Sequence, residues 1–392
     1  MFGSIHVGLS GLTAYSRGLQ QVSNNVTNLN SSGFKGATVS FTDMLSVGGN
    51  GGLSQDSGGQ PSGGVKVNDT RLDFRQGELR QTERDLDLAV DGSGFLMLMR
   101  GDDVVYTRTG SFEVNREGFV VLAGTDYRLA VLDESGRPVG VSVDAHRTDP
   151  PKPTTTIKFS DNLSSTATSF SVSDVKVYDK TGAEHVWQVK FDKKTDGGPE
   201  EWTVTVTDQK SRTIGTQTLK FQQGMLDPAS SKLVFSDTDA ALSVTLDFSR
   251  GVTSFSGGQV SSLRASSVDG QRSGAITSVR VNDKGRLEIG YSNDQKKDVG
   301  ALAIAEFRDP QALAQRSGGL FVDNGQAQRE ITPAGTPGGG RVLSRRLEAS
   351  NVDLARQFGD LILIQRGFQA SSQIISVSND MIQQLFGIRG QG

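Results

Sequence analysis

The chain has 392 residues, 35% of them hydrophobic, with 48 Gly, 10 Pro, a formal charge of −3 and no cysteine. That length provides for two or more domains with sizeable cores. The charge argues against nucleic acid or acidic lipid as a partner, since both need a basic footprint. Zero cysteines remove disulfides, thiol catalysis and thiolate metal sites together.

The first expected element is a helix over 4–29. Ile5, Leu9, Leu12, Leu19 and Val26 fall on a 3,4-alternating spacing, and a stripe of that kind is buried against something. Gly8, Gly11 and Gly18 interrupt it, each at about 0.5–1 kcal/mol relative to Ala, so the isolated helix is expected to stay unfolded until it docks. Asn28, Asn30 and Gly33 end it. Residues 46–64 (SVGGNGGLSQDSGGQPSGG) read as a flexible linker or long loop. The opening residues lack a basic n-region and a compact apolar h-region, so no cleaved secretory signal is expected. No run approaches the roughly 18 apolar residues of a membrane-spanning helix.

From Val65 the period changes to two. Val65–Val67, Leu86–Val90, Phe95–Met99, Val104–Tyr106, Ser111–Val114 and Phe119–Leu122 alternate between Gly- and Asp-containing turns such as Asp91-Gly92 and Glu117-Gly118, which predicts antiparallel β-structure. Pro150, Pro151 and Pro153 mark a boundary. Beyond it Phe170, Val172, Val175 and Val177, then His185–Phe191, Trp202–Val206, Leu219–Phe221, Leu233–Phe235 and Leu242–Phe248, predict an antiparallel sandwich or barrel. Ile276–Val281, Leu287–Tyr291 and Leu302–Phe307 resume the strands, and Gly335–Gly340 forms a further loop.

A second helix is expected over about 352–386, with Asn351 or Ser350 as its cap and Asp353 in its first turn. Its stripe is Leu354, Phe358, Leu361, Phe368, Ile375, Ile382 and Phe386. Gln365, Ser372 and Asn379 recur every seven residues along that seam, where polar groups fix register at a cost in stability. Ile364, Ile374, Val377, Met381 and Leu385 widen the apolar surface beyond a two-helix stripe. Two terminal helices with no neighbour in sequence point to packing on each other or on further copies, and so to assembly rather than catalysis.

Catalytic motifs are lacking. The three histidines, His6, His146 and His185, sit in separate segments, and no Walker A loop, G-x-G-x-x-G or G-x-S-x-G run occurs. No metal, cofactor or catalytic residue is assigned. Trp187 and Trp202 lie in strands and are expected in the core rather than as sugar-stacking platforms.

Four segments carry a family likeness. Ser23-Asn24-Asn25-Val26-Thr27-Asn28, followed by Ser31-Ser32-Gly33-Phe34-Lys35, resembles the N-terminal signature of the axial rod and hook proteins of the bacterial flagellum. Asp85–Phe95 (DLDLAVDGSGF) and Tyr106–Phe112 (YTRTGSF) are similar to that family's inner segments. Leu347–Leu354 (LEASNVDL) and Gln365–Ala370 (QRGFQA) resemble its C-terminal signature, with Phe368 where Tyr is usual and Gln357 where Glu is common. A charge that would be available for pairing between subunits is thus missing at 357.

The resemblance implies a multidomain, mainly β chain. Antiparallel β domains, sandwich- or barrel-like, would be inserted between N- and C-terminal helices that form a coiled-coil-like core on assembly. The implied domains are 1–30 with 352–392 (helical core), 31–70 with 326–351 (extended connections), 71–148 with 270–325 (inner β) and 149–269 (outer β). The extra β segment is similar to that of hook members rather than of the shorter rod members. A hook member would be a structural subunit of a curved, flexible tube that passes motor torque to the filament and encloses an export channel. The implied self-assembly residues are the two stripes with Asn25, Asn28, Gly33, Phe34, Asn351, Val352 and Gln365. The implied partners are further copies, the distal rod protein, the hook cap protein, the hook–filament junction protein and the flagellar type III export machinery. The location would be the extracellular hook, reached without a cleaved signal and without membrane insertion. A distal rod subunit is the alternative, and a glycan-binding β-protein a remote one.

Overall fold

The computed structural model describes residues 2–43, 64–67, 70–194, 200–258, 260–336 and 339–389. The expected linker over 46–64 lies outside the described residues except for Gly64. Among the described residues the chain is mainly β, with one helix near each end: α1, Phe2–Thr27, and α2, Leu354–Arg389.

The chain divides into two compact units. The first comprises 1–145, 279–288 and 298–392; the second comprises 146–278 and 289–297.

In the first unit a sheet of twelve described strands contains the motif segment Asp87–Asp91 between Thr109–Val114 and Arg341–Ser344. Leu88, Ala89 and Val90 are all buried, so this strand is covered on both faces and reads as a continuous apolar run rather than an alternation. Phe95, Tyr106, Phe307 and Phe321 form an aromatic core, with Phe95 and Phe321 rings 5.4 Å apart and Tyr106 and Phe307 4.9 Å apart. Edge-to-face pairs of this kind add to the area they bury.

The second unit is built on a sheet of ten described strands that curls back on itself. Gln217, on Thr213–Gln222, donates its side-chain amide to the Val234 carbonyl on Lys232–Asp237, the strand at the end of the sheet. The enclosed core holds Trp187, Trp202, Phe159, Phe191 and Phe248, with Phe159 stacked on Phe248 at 4.6 Å. The strand expected from Phe170, Val172, Val175 and Val177 is Ser169–Tyr178. Its three-residue step from Val172 to Val175 is a β-bulge, with Asp174 at φ 57°, which returns both halves of the strand to the same core.

One strand departs from the expected antiparallel pairing. The segment is not purely antiparallel: Thr156–Asn162 lies parallel to Leu242–Asp247 and to Val252–Thr253. Parallel pairing needs a long crossover, which the intervening strands supply, and Thr156–Asn162 is too polar to announce itself as a strand.

The two ends of this unit are clasped. Lys152 and Gln271 exchange both backbone hydrogen bonds at 2.9 Å. The Asp269 carboxylate accepts from the Thr155 and Thr156 amides, both at 2.9 Å, and from the Thr155 hydroxyl. An insertion whose ends meet in this way leaves its host able to fold.

Candidate assembly surface

α1 and α2 pack antiparallel. Gly8 lies against Ile375, Gly11 against Ser371, Tyr15 against Gly367 and Gly18 against Ile364, and Asn25 Nδ2 donates to Gln357 Oε1 at 2.9 Å. Facing positions add to about 382 along the whole contact. The approach is close because the seam is made of small residues. A Cβ on Gly8 would stand 2.7 Å from Ile375 Cγ1, and one on Gly367 would stand 2.3 Å from the Tyr15 ring. The glycines read in the sequence as weakening the helix are therefore where α2 fits.

This corrects the stripes. The buried line of α1 is Gly8, Gly11, Ala14, Gly18, Val22 and Asn25, while Leu9 and Leu19 are exposed and Ile5, Leu12 and Val26 half-buried. On α2 the buried line is Gln357, Ile364, Ser371 and Ser378, with Leu361, Ile375 and Ile382 half-buried. Leu354, Phe358 and Phe368 are exposed, and the side chain of Phe386 lies outside the described residues. The polar residues on the seam are thus Gln357, Ser371 and Ser378; Gln365, Ser372 and Asn379 are exposed. Hydrophobic periodicity selects the largest side chains, whereas this seam is defined by the smallest. Gln357 is buried inside the chain, so the residue at this position pairs with Asn25 rather than across subunits.

The start of α2 also differs. Asp353 is its cap, the carboxylate accepting from Ala355 N at 2.9 Å and Arg356 N at 3.2 Å. Asn351 instead ties together two other segments of the chain. Its Oδ1 accepts from Gly36 N at 2.8 Å, and its Nδ2 donates to the Asp73 and Arg75 carbonyls.

The motif residues meet in a clasp between the helices and the sheet. Besides its bond to Gln357, Asn25 Nδ2 donates to Ala37 O and its Oδ1 accepts from Ala37 N. Lys35 Nζ lies 2.7 Å from Glu348 Oε1, and Arg108 Nε lies 3.4 Å from Glu348 Oε2, all three side chains almost wholly buried. Gly77 N donates to Glu348 Oε1 at 2.7 Å, and Arg108 also donates to the Gly94 and Val90 carbonyls. Burial lowers the Lys35 pKa, against the opposing pull of Glu348. Gly33, at φ +71°, donates its amide to Glu348 O, and Phe34 is buried. Asn28 bonds back to Asn24, and Val352 packs beside Gly36. Lys35, Arg108 and Glu348 are visible in the sequence as motif letters, but nothing in their spacing announces that they form one cluster.

The other candidates resolve simply. Trp187 and Trp202 are fully buried, which removes the stacking faces a glycan platform needs. His185 Nε2 is 3.2 Å from Asp179 Oδ2 and His146 Nδ1 is 3.1 Å from Lys297 Nζ. Among the described residues no group of His, Asp and Glu is arranged to hold a metal, and no helix is long and apolar enough to cross a membrane.

Three family models match the chain: the flagellar hook protein FlgE/F/G D1 domain over 89–174, the flagellar basal body protein FlaE D2 domain over 142–271, and the flagellar basal body rod FlgEFG protein C-terminal region over 343–388. The flagellar hook protein FlgE of Salmonella typhimurium is 28% identical over an alignment covering 98% of this chain and all of that one. The chain belongs to the flagellar hook protein family. FlgE of Treponema pallidum is 25% identical over 99% of this chain and all of its own length, and FlgE of Escherichia coli 28% over 97% and 98%. The crystal structure of Helicobacter pylori FlgE2 aligns with a TM-score of 0.51 at 12% identity, covering 69% of this chain and all of that one, which shows a shared fold. As a family member the chain is a structural subunit of the flagellar hook and polymerises with its own copies.

Proposed function

We propose that the helix pair is the part of the subunit that builds the wall of the hook tube. The supporting observation is that the pair, complete within one chain, still exposes large apolar residues: Leu9 and Leu19 on α1, and Phe358, Leu363, Ile374 and Met381 on α2. Exposed apolar area of this extent marks an interaction surface, and in a self-polymerising family its partner is the same surface region on other copies. Of the residues expected for self-assembly, Leu9, Leu19, Leu354, Phe358, Gln365 and Phe368 are accessible. Asn25, Gly33 and Phe34 would act by holding the helices to the sheet.

The wider reading follows the family. The tube is curved and bendable, passes torque to the filament and encloses the export channel, with the helices inside and the β units further out. The four-part division, with 1–30 and 352–392 as the core and 149–269 as the outer domain, belongs to this proposal. So do its partners at the two ends, the distal rod protein below and the cap and junction proteins above, and export through the flagellar type III route. The chain performs no catalysis in this reading.

The test is a pair of truncations. Chains lacking 1–29 or 352–392 should give soluble β units and cells without hooks by electron microscopy; normal hooks from either truncation would overturn the proposal. A polymer found within the cell envelope instead of outside it would favour the rod alternative.

A further inference from the structure

The helix pair has two apolar faces, and helix geometry decides which side each occupies. At roughly 100° per residue, Leu354, Phe358 and Ile362 lie to one side of the α2 seam defined by Gln357, Ile364 and Ile375. Leu363, Ile374, Val377 and Met381 lie to the other. On α1, the stripe of Ile5, Leu9, Leu12 and Leu19 is turned roughly 110° from the buried line of Gly8, Gly11 and Gly18. Because the helices are antiparallel, that turn carries the stripe to the Phe358 side of the pair. One front face therefore combines the α1 stripe with the first turns of α2, and a separate back face runs from Leu363 to Met381. Both are open: Leu9 is 57% and Phe358 51% exposed on the front, Leu363 69% and Val377 51% on the back.

The faces also match in height. The shared register sets Leu363 level with Leu19 and Val377 level with Ile5, so each row is roughly 21 Å long at 1.5 Å per residue. A twofold dimer would bury one face against its own copy and leave the other bare, whereas two different faces on one chain suit a head-to-tail contact that repeats into a ring or helical filament.

We propose that the back face of one copy, through Leu363, Ile374, Val377 and Met381, docks on the α1 stripe of the next copy at the same level. This rests on the self-assembly reading above and deepens it by naming which surfaces meet. The contact is polar in direction, each copy offering one face and covering another.

The chain contains no cysteine, so introduced thiols report without background. Hooks isolated from cells expressing the Leu9→Cys, Ile374→Cys double variant and treated with a short bismaleimide should give a ladder of dimers, trimers and larger species on denaturing gels. The two sites lie on opposite faces of the pair, which prevents the same link forming within one chain, and either single variant should stay monomeric. Leu19→Cys with Leu363→Cys reads the other end of the contact. If a double variant does not assemble, hooks co-assembled from the two single variants should give dimers of unlike copies. Hooks that form without a ladder or dimers, or a Leu9→Cys chain that links to itself, would overturn the pairing while leaving the hook reading intact. Failure of the unmodified chain to restore hooks to a deletion strain would instead overturn self-assembly.

Discussion

Lys35 and Glu348, 313 residues apart in sequence, meet at 2.7 Å with both side chains shut away from solvent. The first follows α1 and the second precedes α2, so the ion pair joins the roots of the two helices. Removing one partner of a buried pair typically costs 3–5 kcal/mol, because the remaining charge is left without compensation. Lys35→Met is therefore expected to destabilise the first unit by about 3 kcal/mol. Urea unfolding of the purified monomer measures it; a loss within error of zero would mean that Arg108, 3.4 Å away, is sufficient for Glu348.

Two glycines of α2 give opposite expectations. Gly359 has nothing within 4 Å of an added Cβ, so Gly359→Ala should gain about 0.5–1 kcal/mol from helix propensity. Gly367 faces the Tyr15 ring, with three of its atoms between 2.3 and 2.7 Å of the same point. Gly367→Ala should separate the helices and cost about 1–3 kcal/mol, the usual penalty for overpacking. Thermal unfolding followed by far-UV circular dichroism should move in opposite directions for the two variants. A parallel shift would place the seam elsewhere.

The clasp at the ends of the second unit should depend on pH. Burial pushes the Asp269 carboxyl up, but hydrogen bonds from the Thr155 hydroxyl and the Thr156 and Thr155 amides outweigh it, and its pKa is lowered from 3.8. A carboxylate with a depressed folded pKa stabilises the fold above its unfolded value, and that contribution fades as pH falls through the folded value. Asp269→Asn should therefore be less stable than the parent at pH 7, with the gap narrowing below about pH 4. Denaturant midpoints at pH 7 and pH 3 test this; an equal gap at both would show that the carboxylate charge contributes nothing.

Trp187 and Trp202 are core residues, so their truncation should act on stability and not on recognition. Trp187→Ala is expected to cost about 3–5 kcal/mol. Trp187→Phe should cost clearly less, since the buried indole nitrogen has no hydrogen-bond partner to lose. Chemical denaturation distinguishes the two. Saturable glycan binding by the parent, abolished by either change in a still-folded chain, would revive the carbohydrate reading.

Much of the architecture is legible in the chain because it follows from period and punctuation. The switch from a 3,4 spacing to alternation after Val65 has a direct counterpart in the fold, whereas the bulge between Val172 and Val175 shows only in the strand register. Strands such as Thr156–Asn162, Arg329–Pro333 and Arg341–Ser344 stay hidden because they carry few apolar residues and exist through their partners. The helix seam is hidden for a related reason. A contact made by Gly8, Gly11, Gly18 and Gly367 has no hydrophobic signature, while Leu9, Leu19, Leu354, Phe358 and Phe368, which do have one, are exposed. Asp353 takes the place of Asn351 as the cap because Asn351 is held by Gly36 and two carbonyls from residues 73 and 75, a demand that arises only in three dimensions.

The bonds joining Lys152 to Gln271 and Thr155 to Asp269 have a consequence for how this chain can change length. The strand leading in and the strand leading out are already stitched side by side, so the residues between Thr155 and Asp269 form a detachable cassette whose removal or enlargement leaves both of these residues and the Lys152–Gln271 pair in place. A tight turn bridging Thr155 and Asp269 would shorten the subunit at a single locus, and a larger domain could be spliced there without moving any residue of the helix seam.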